Sequence, residues 1–192
     1  MFVTFEGPEG AGKSTLIRGL AEALRASGKV VLVTREPGGG EFGPQVREIL
    51  LDSEHVIPRA ELFLLLADRS SHVERIIRPA LDRGEIILCD RYADSTIAYQ
   101  GYGRGLSLDF LRELNTFATG GLIPDRTYLL DLPPAVGLSR AVKGDRMDRE
   151  PLEFHEKVRA GFLAEAALHP RWRVVDATQD PNAVLAEVLA DL

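Results

Sequence analysis

Apolar and polar positions along the chain fall into two alternating rhythms. Short apolar runs cover Phe2–Phe5, Val30–Thr34, Glu85–Asp90, Thr127–Leu132 and Arg173–Asp176. Between them lie stretches with helical spacing, the signature of a parallel sheet with crossover helices. Leu16, Leu20 and Leu24 recur at every fourth position, and Ser27-Gly28 ends that helix before the second run. A second helix is predicted from near Pro58 to beyond Arg75, and a last one over Pro181–Leu192. The expected fold class is α/β: a three-layer sandwich of helices around a five-stranded parallel sheet, forming one domain over residues 1–192. The centre of the second helix, Leu62-Phe63-Leu64-Leu65-Leu66-Ala67, is apolar on every side. A helix without a polar face is normally buried all round, which points to a partner subunit in a homodimer or to deep burial within the chain.

Directly after the first apolar run stands Gly7-Pro8-Glu9-Gly10-Ala11-Gly12-Lys13-Ser14, followed by Thr15 and the leucine-spaced helix. The spacing G-x-x-x-x-G-K-[ST] between a strand and a helix is a P-loop, a cradle for the phosphates of a nucleoside triphosphate. Its glycines let successive N–H groups turn inward onto phosphate oxygens, and the helix N-terminus adds partial positive charge. Lys13 would bridge the outer phosphates and the Ser14 hydroxyl would ligate Mg²⁺ carried with ATP. The third run ends in Asp90. Ligands collect at the carboxyl ends of strands in open α/β sheets, so Asp90 would complete the magnesium shell, orient an attacking oxygen, or simply cap a turn.

Composition narrows the partner. The chain of 192 residues is 45% hydrophobic and 27% charged, with a formal net charge of −6. That balance argues against a nucleic-acid polymer, whose backbone calls for a concentrated basic surface. No segment is long and apolar enough to span a bilayer. The chain enters a strand at Phe2, so no signal peptide is expected. The one cysteine, Cys89, excludes an intramolecular disulfide and fits a reducing, cytoplasmic setting. The four histidines show no close metal-ligand spacing.

A P-loop leaves open what receives the phosphoryl group. Arginines beyond the P-loop (Arg47, Arg69, Arg91, Arg140, Arg146 and Arg149) outnumber what one triphosphate needs. They suit a phosphate donor held against a phosphate acceptor, two anions that repel unless each is neutralised. The segments "TREPGGG" (34–40), "ADRSSH" (67–72) and "DRYADSTIAYQGYGRG" (90–105), with "GDRMD" (144–148), "FHEKVRAGFL" (154–163) and "DATQ" (176–179), make the chain resemble the bacterial thymidylate kinases over nearly its whole length.

The resemblance implies ATP and dTMP as substrates and dTDP as product. It places the dTMP sugar 3′-hydroxyl on Glu9 and the acceptor phosphate on Arg91 beside Asp90, with Arg47 assisting. Arg69 would donate to a thymine carbonyl, while Thr96 and Gln100, on one helical face, would read the base edge. Tyr99 would crowd the sugar C2′ and exclude a ribose hydroxyl, Ser95 would brace the same loop, and Glu36-Pro37 would form the turn bordering the acceptor. Leu65 stands where relatives carry a phenylalanine that stacks on thymine, a difference worth about 1 kcal/mol.

The stretch "SRAVKGDRMDRE" alternates signs. It reads as a solvated surface or, with Gly144 and the resemblance, as a lid over roughly residues 140–152. In some relatives a P-loop position carries a catalytic arginine. Here that slot is Gly10, so the lid would have to supply the charge, from Arg146 ahead of Arg149, while Arg140 would stack on adenine. Another nucleoside or nucleotide kinase, or a nucleotide-sensing binding module, are the alternative readings.

Overall fold

The computed structural model describes residues 1–140, 144 and 146–192. Among them, the strands are β1 (Phe2–Glu6), β2 (Val31–Arg35), β3 (Ile86–Asp90), β4 (Arg126–Asp131) and β5 (Trp172–Asp176), each within a residue or two of its apolar run. They form one five-stranded sheet in the order β2-β3-β1-β4-β5. Every pairing is parallel, so that Val3 of β1 lies beside Leu88 of β3 and Phe5 beside Tyr128 of β4. Parallel neighbours need crossovers, and helices supply them on both faces.

On one face, α1 (Lys13–Ala26) and α9 (Pro181–Asp191) pack Leu16, Ile17, Leu20, Val184 and Val188 onto Val3, Phe5 and Leu130. The other face carries α3 (Pro58–His72), which continues through a π-helical turn at Val73–Ile77 into α4 (Arg78–Asp82). There Val73 and Ile77 bury against Phe2, Ile87 and Tyr92. Beside them, α5 (Ala93–Thr96) runs into a second π-helical segment, Ile97–Gly103, covered by α8 (Leu152–Leu168) through Tyr99, Phe154, Val158 and Phe162. The remaining helices are α2 (Gly43–Asp52), α6 (Leu108–Thr119) and α7 (Pro134–Arg140). Ordinary signals bound several of them: Ser107 caps α6, which ends at left-handed Gly120, and Asp180 caps α9 with Pro181 in its first turn.

The second predicted helix is thus real but not buried all round. Leu62 and Leu66 are interior, whereas Phe63 is 63% exposed, which removes deep intramolecular burial as the reason for its apolar sequence. Cys89 is buried in β3 and its thiol donates to the Arg91 carbonyl at 3.1 Å. Among the described residues no helix is long and apolar enough to cross a membrane.

Candidate active site

At the carboxyl ends of β1, β2 and β3 lies a cavity of about 550 Å³. Apart from the exposed Arg149, every site residue expected from sequence lines it except Gly7 and Pro8, whose carbonyls instead accept hydrogen bonds from Lys13 Nζ at 3.1 and 2.9 Å. A second cavity, sharing Gly10, Ala11, Gly12, Thr15 and Arg140, opens toward Gln179 and Asn182.

The P-loop half of the cavity is an anion site by construction. Helix α1 starts from Gly12 in a left-handed conformation, with no side-chain cap and no acidic residue in its first turn. Its leading N–H groups and the positive end of its dipole are left for a ligand. Burial pushes the Lys13 ammonium below its ordinary range, with Arg91 adding repulsion. Gly10 also has positive φ, and a Cβ there would collide with the Gly137 carbonyl of α7. No side chain fits at this position without displacing α7, so a P-loop arginine is sterically excluded.

Ser14 Oγ donates to Asp90 Oδ2 at 3.2 Å, and Asp90 Oδ1 is buried with no partner among the described residues. A hydroxyl and a carboxylate side by side, with an unmet oxygen, are hard-cation donors and fit Mg²⁺. No group of three or more His, Cys, Asp or Glu among the described residues could hold a metal by itself, so a cation here would draw its remaining ligands from phosphate and water.

Arg91 sits at the junction. It is the one described non-glycine residue with positive φ, at 68°. Its backbone N–H donates to the Phe5 carbonyl, and the next amide, Tyr92 N–H, donates to Glu6 Oε1 at 2.9 Å. Such a conformation persists only where its surroundings over-determine it. The turn aims the guanidinium back at the P-loop: Nη2 donates to Glu9 Oε1 at 2.8 Å and Nη1 to the Gly7 carbonyl at 3.0 Å and to Ser95 Oγ at 3.3 Å. The Tyr99 hydroxyl donates to the same Glu9 oxygen at 2.8 Å, and its ring lies under Arg91 at 5.0 Å. Burial pushes the Glu9 carboxyl up, but Arg91 and Lys13 outweigh it and hold its pKa at about 2.

At the far end, Arg69 is 1% exposed. Its Nε donates to Glu36 Oε2 at 2.7 Å, Nη1 to Thr96 Oγ1 and Asn115 Oδ1, and Nη2 to the Tyr92 carbonyl. A guanidinium has five N–H donors, so one Nη2 hydrogen remains for a ligand. His72 Nδ1 shares Glu36 Oε1, and Asp68 accepts from Gly38 N–H and Gly40 N–H, pinning the turn after β2, where Glu36-Pro37 is cis. Arg47 of α2 donates to the Pro37 carbonyl. Thr96 and Gln100 are both buried on the cavity wall, and Gln100 Oε1 has no partner among the described residues. Leu65 lines this end as well.

Arg146 reaches the cavity from the expected lid, but its guanidinium is committed elsewhere: Nη2 donates to Glu61 Oε2 at 2.6 Å and Nε to the Leu50 carbonyl at 2.8 Å. Arg140 is exposed beside both cavities and donates to the Ala177 carbonyl at 3.4 Å. Of the expected lid, residues 141–143 and 145 lie outside the described residues.

Sequence reasoning passed over Glu6, Glu36's partner His72, Glu61, Asp68 and Asn115. Glu6 had a signal: it is the acidic end of the otherwise uncharged, fully buried strand β1. Glu61 had a weaker one, an acidic residue at the start of an apolar helix, which reads as an ordinary dipole-compensating position.

The model of the family described as "Thymidylate kinase" matches residues 5–188. Curated relatives called thymidylate kinase include one from Thermomicrobium roseum, 55% identical over 98% of this chain and 92% of its own length. Another, from Nitratidesulfovibrio vulgaris (strain DSM 19637 / Miyazaki F), is 54% identical over 98% and 94%. Among solved structures, the crystal structure of thymidylate kinase from Ehrlichia chaffeensis superposes with a TM-score of 0.82 at 34% identity, covering 100% of this chain and 97% of that one.

Glu6 yields a measurable consequence. It is fully buried, accepting from Tyr92 N–H and, at 2.5 Å, from the Ser95 hydroxyl. Burial first, then the neighbouring Asp94, push its pKa from an ordinary 4.5 to about 7, against the pull of Arg91. Between those two values the folded state keeps a proton that the unfolded state loses, so this group's stabilisation is full below about 4.5 and is lost as pH rises through about 7. Glu6→Gln, which cannot titrate, should therefore show a smaller fall in Tm between pH 5 and pH 8 than the wild type. Parallel melting curves would refute the assignment.

Proposed function

The chain belongs to the thymidylate kinase family, ATP-dependent phosphotransferases that convert dTMP to dTDP, and we propose that the two halves of its cavity hold the two nucleotides end to end. The observation that carries this is Arg91. It touches Glu9 and Gly7 of the P-loop and Ser95 of α5, with Tyr99 beneath it, so one guanidinium stands where a donor phosphate and an acceptor phosphate would meet.

In this reading the amides of Gly10, Ala11, Gly12, Lys13, Ser14 and Thr15 wrap the triphosphate of ATP. Lys13 exchanges its carbonyl partners for phosphate oxygens, and Arg140 lies against adenine in the second cavity. The Ser14 hydroxyl and Asp90 hold Mg²⁺, which when bound neutralises charge on the outer phosphates. Arg91, with Arg47, orients the dTMP phosphate for in-line attack on the γ-phosphorus, where holding two reactants in geometry is most of the catalysis. Glu9, kept ionised by Arg91 and Lys13, accepts the sugar 3′-hydroxyl. Tyr99, fixed by Glu9 and packed on Phe154 and Phe162, leaves no room for a 2′-hydroxyl, and Ser95 braces Arg91.

The remaining Arg69 hydrogen meets a thymine carbonyl. Thr96, whose oxygen already accepts from Arg69, has its own hydrogen to give, and the unmet Gln100 Oε1 accepts from the base N3–H. Glu36-Pro37 closes the rim, and Leu65 covers the base without stacking. Arg146 would move from Glu61 onto the transferring phosphoryl group as the lid, residues 140–152, closes. The setting is cytoplasmic and the chain forms one domain. The outward apolar residues of α2, α3 and α6 (Ile49, Phe63, Phe110 and Phe117) support a homodimer.

The decisive experiment is an acceptor panel with MgATP. dTDP should form faster than dGDP, dCDP or UDP, and equal rates would remove the substrate assignment. In the same assay Arg146→Ala should cost kcat far more than dTMP affinity, since the contact is made in the transition state. Equal losses would leave Arg146 a structural residue. For assembly, sedimentation at micromolar concentration should give a dimer that Phe63→Glu dissociates, and a wild-type monomer would exclude it.

A further inference from the structure

Glu61 stands in the first turn of α3, 2% exposed, and gathers donors from three side chains. Its Oε1 accepts from Gln100 Nε2 at 2.8 Å, and its Oε2 from Arg146 Nη2 at 2.6 Å. Arg104 reaches both oxygens at 3.3–3.4 Å. Burial pushes the carboxyl up, but the Gln100 hydrogen bond and the Arg104 and Arg146 guanidiniums hold it below its ordinary value, so it is ionised at neutral pH and can only accept. That fixes its neighbour. A Gln side chain has an NH₂ end and an oxygen end, and turning the Gln100 amide over would set an oxygen against a carboxylate oxygen in a buried place. The NH₂ end is therefore committed to Glu61, and Oε1 is left as an unmet acceptor in a residue of the cavity wall.

We infer that Glu61 is a positioning residue for base selectivity, locking the Gln100 amide so that the acceptor site offers an oxygen to an imide N–H. This rests on the reading of the cavity as a mononucleotide acceptor site. A thymine or uracil ring has a hydrogen at N3 and is matched by that oxygen. A cytosine ring has a lone pair at N3 and meets acceptor against acceptor, a mismatch that buried polar sites reject strongly. Glu61 never touches the base. It acts through the orientation of Gln100, while its other oxygen anchors Arg146, so the same carboxylate joins base reading to the segment expected to close over the phosphates.

The test compares wild type and Glu61→Gln in binding dTMP, dUMP and dCMP by calorimetry, with a thermal melt to establish folding. A neutral amide at 61 can donate as well as accept, so Gln100 is free to turn over. The preference for dTMP over dCMP should fall at least tenfold. It should not invert, because Arg69 still disfavours a 4-amino group. The preference for dTMP over dUMP, which depends on a methyl group the amide does not read, should stay within twofold. If the dTMP-to-dCMP preference survives within twofold, or if both preferences fall together as in a loosened pocket, the inference is overturned. The single variant leaves Arg146 buried beside a neutral partner, so Glu61→Gln/Arg146→Met provides the same readout should it fail to fold. A wild type that binds the three nucleotides equally would overturn the acceptor-site reading itself, and this inference with it.

Discussion

A guanidinium buried in a cavity shaped for anions must find a carboxylate when the anions are elsewhere. Arg91, Arg69 and Arg146 all line the cavity, and each is paired: with Glu9, Glu36 and Glu61. Leaving any of these cations unpartnered would cost several kcal/mol in a buried setting, a large fraction of the stability of a domain this size. The site is therefore built from arginine–carboxylate pairs rather than from arginines alone, and the carboxylates are chosen by position. Glu9 belongs to the P-loop, Glu36 to the turn after β2, and Glu61 to the first turn of α3.

The pairing also explains why so acidic a chain can bind two anionic nucleotides. Net charge describes the surface as a whole, whereas binding is decided by a few cations whose partners are arranged to be shared or exchanged. Glu9 Oε1 accepts from both Arg91 and the Tyr99 hydroxyl at 2.8 Å. Glu36 holds Arg69 with one oxygen and His72 with the other. Glu61 has one oxygen on the Gln100 amide and the other on Arg146.

The backbone does as much as the side chains. The left-handed turn at Arg91 and the uncapped start of α1 at Gly12 are both locally unfavourable, and they face one another across the ends of β1 and β3. Arg91 is held by the sheet through Phe5 and Glu6, and the P-loop by its packing against Gly137 of α7. Strain of this kind is retained where it aims donors at a ligand, and here it aims them from both sides of one cavity.

The alternation of apolar runs determined the strands, their parallel pairing and the crossover helices, because residue spacing is a local property that burial then enforces. Motif spacing likewise determined the P-loop, and the Asp-Arg-Tyr block and its neighbours carried the family and therefore the site residues that turned out to share one cavity. The spacing of Thr96 and Gln100 was enough to put them on one face, even though the helix there widens into a π-helical segment. What sequence could not decide was which polar groups meet over long separations. Nothing local links Glu61 to Gln100 or Arg146, Asp68 to the glycine turn, or Asn115 to Arg69, and nothing local shows that Phe63 faces out while Leu62 and Leu66 face in. Those outcomes depend on how helices pack across the sheet. Only the assembled fold decides whether a charge is buried, and hence whether it must have a partner.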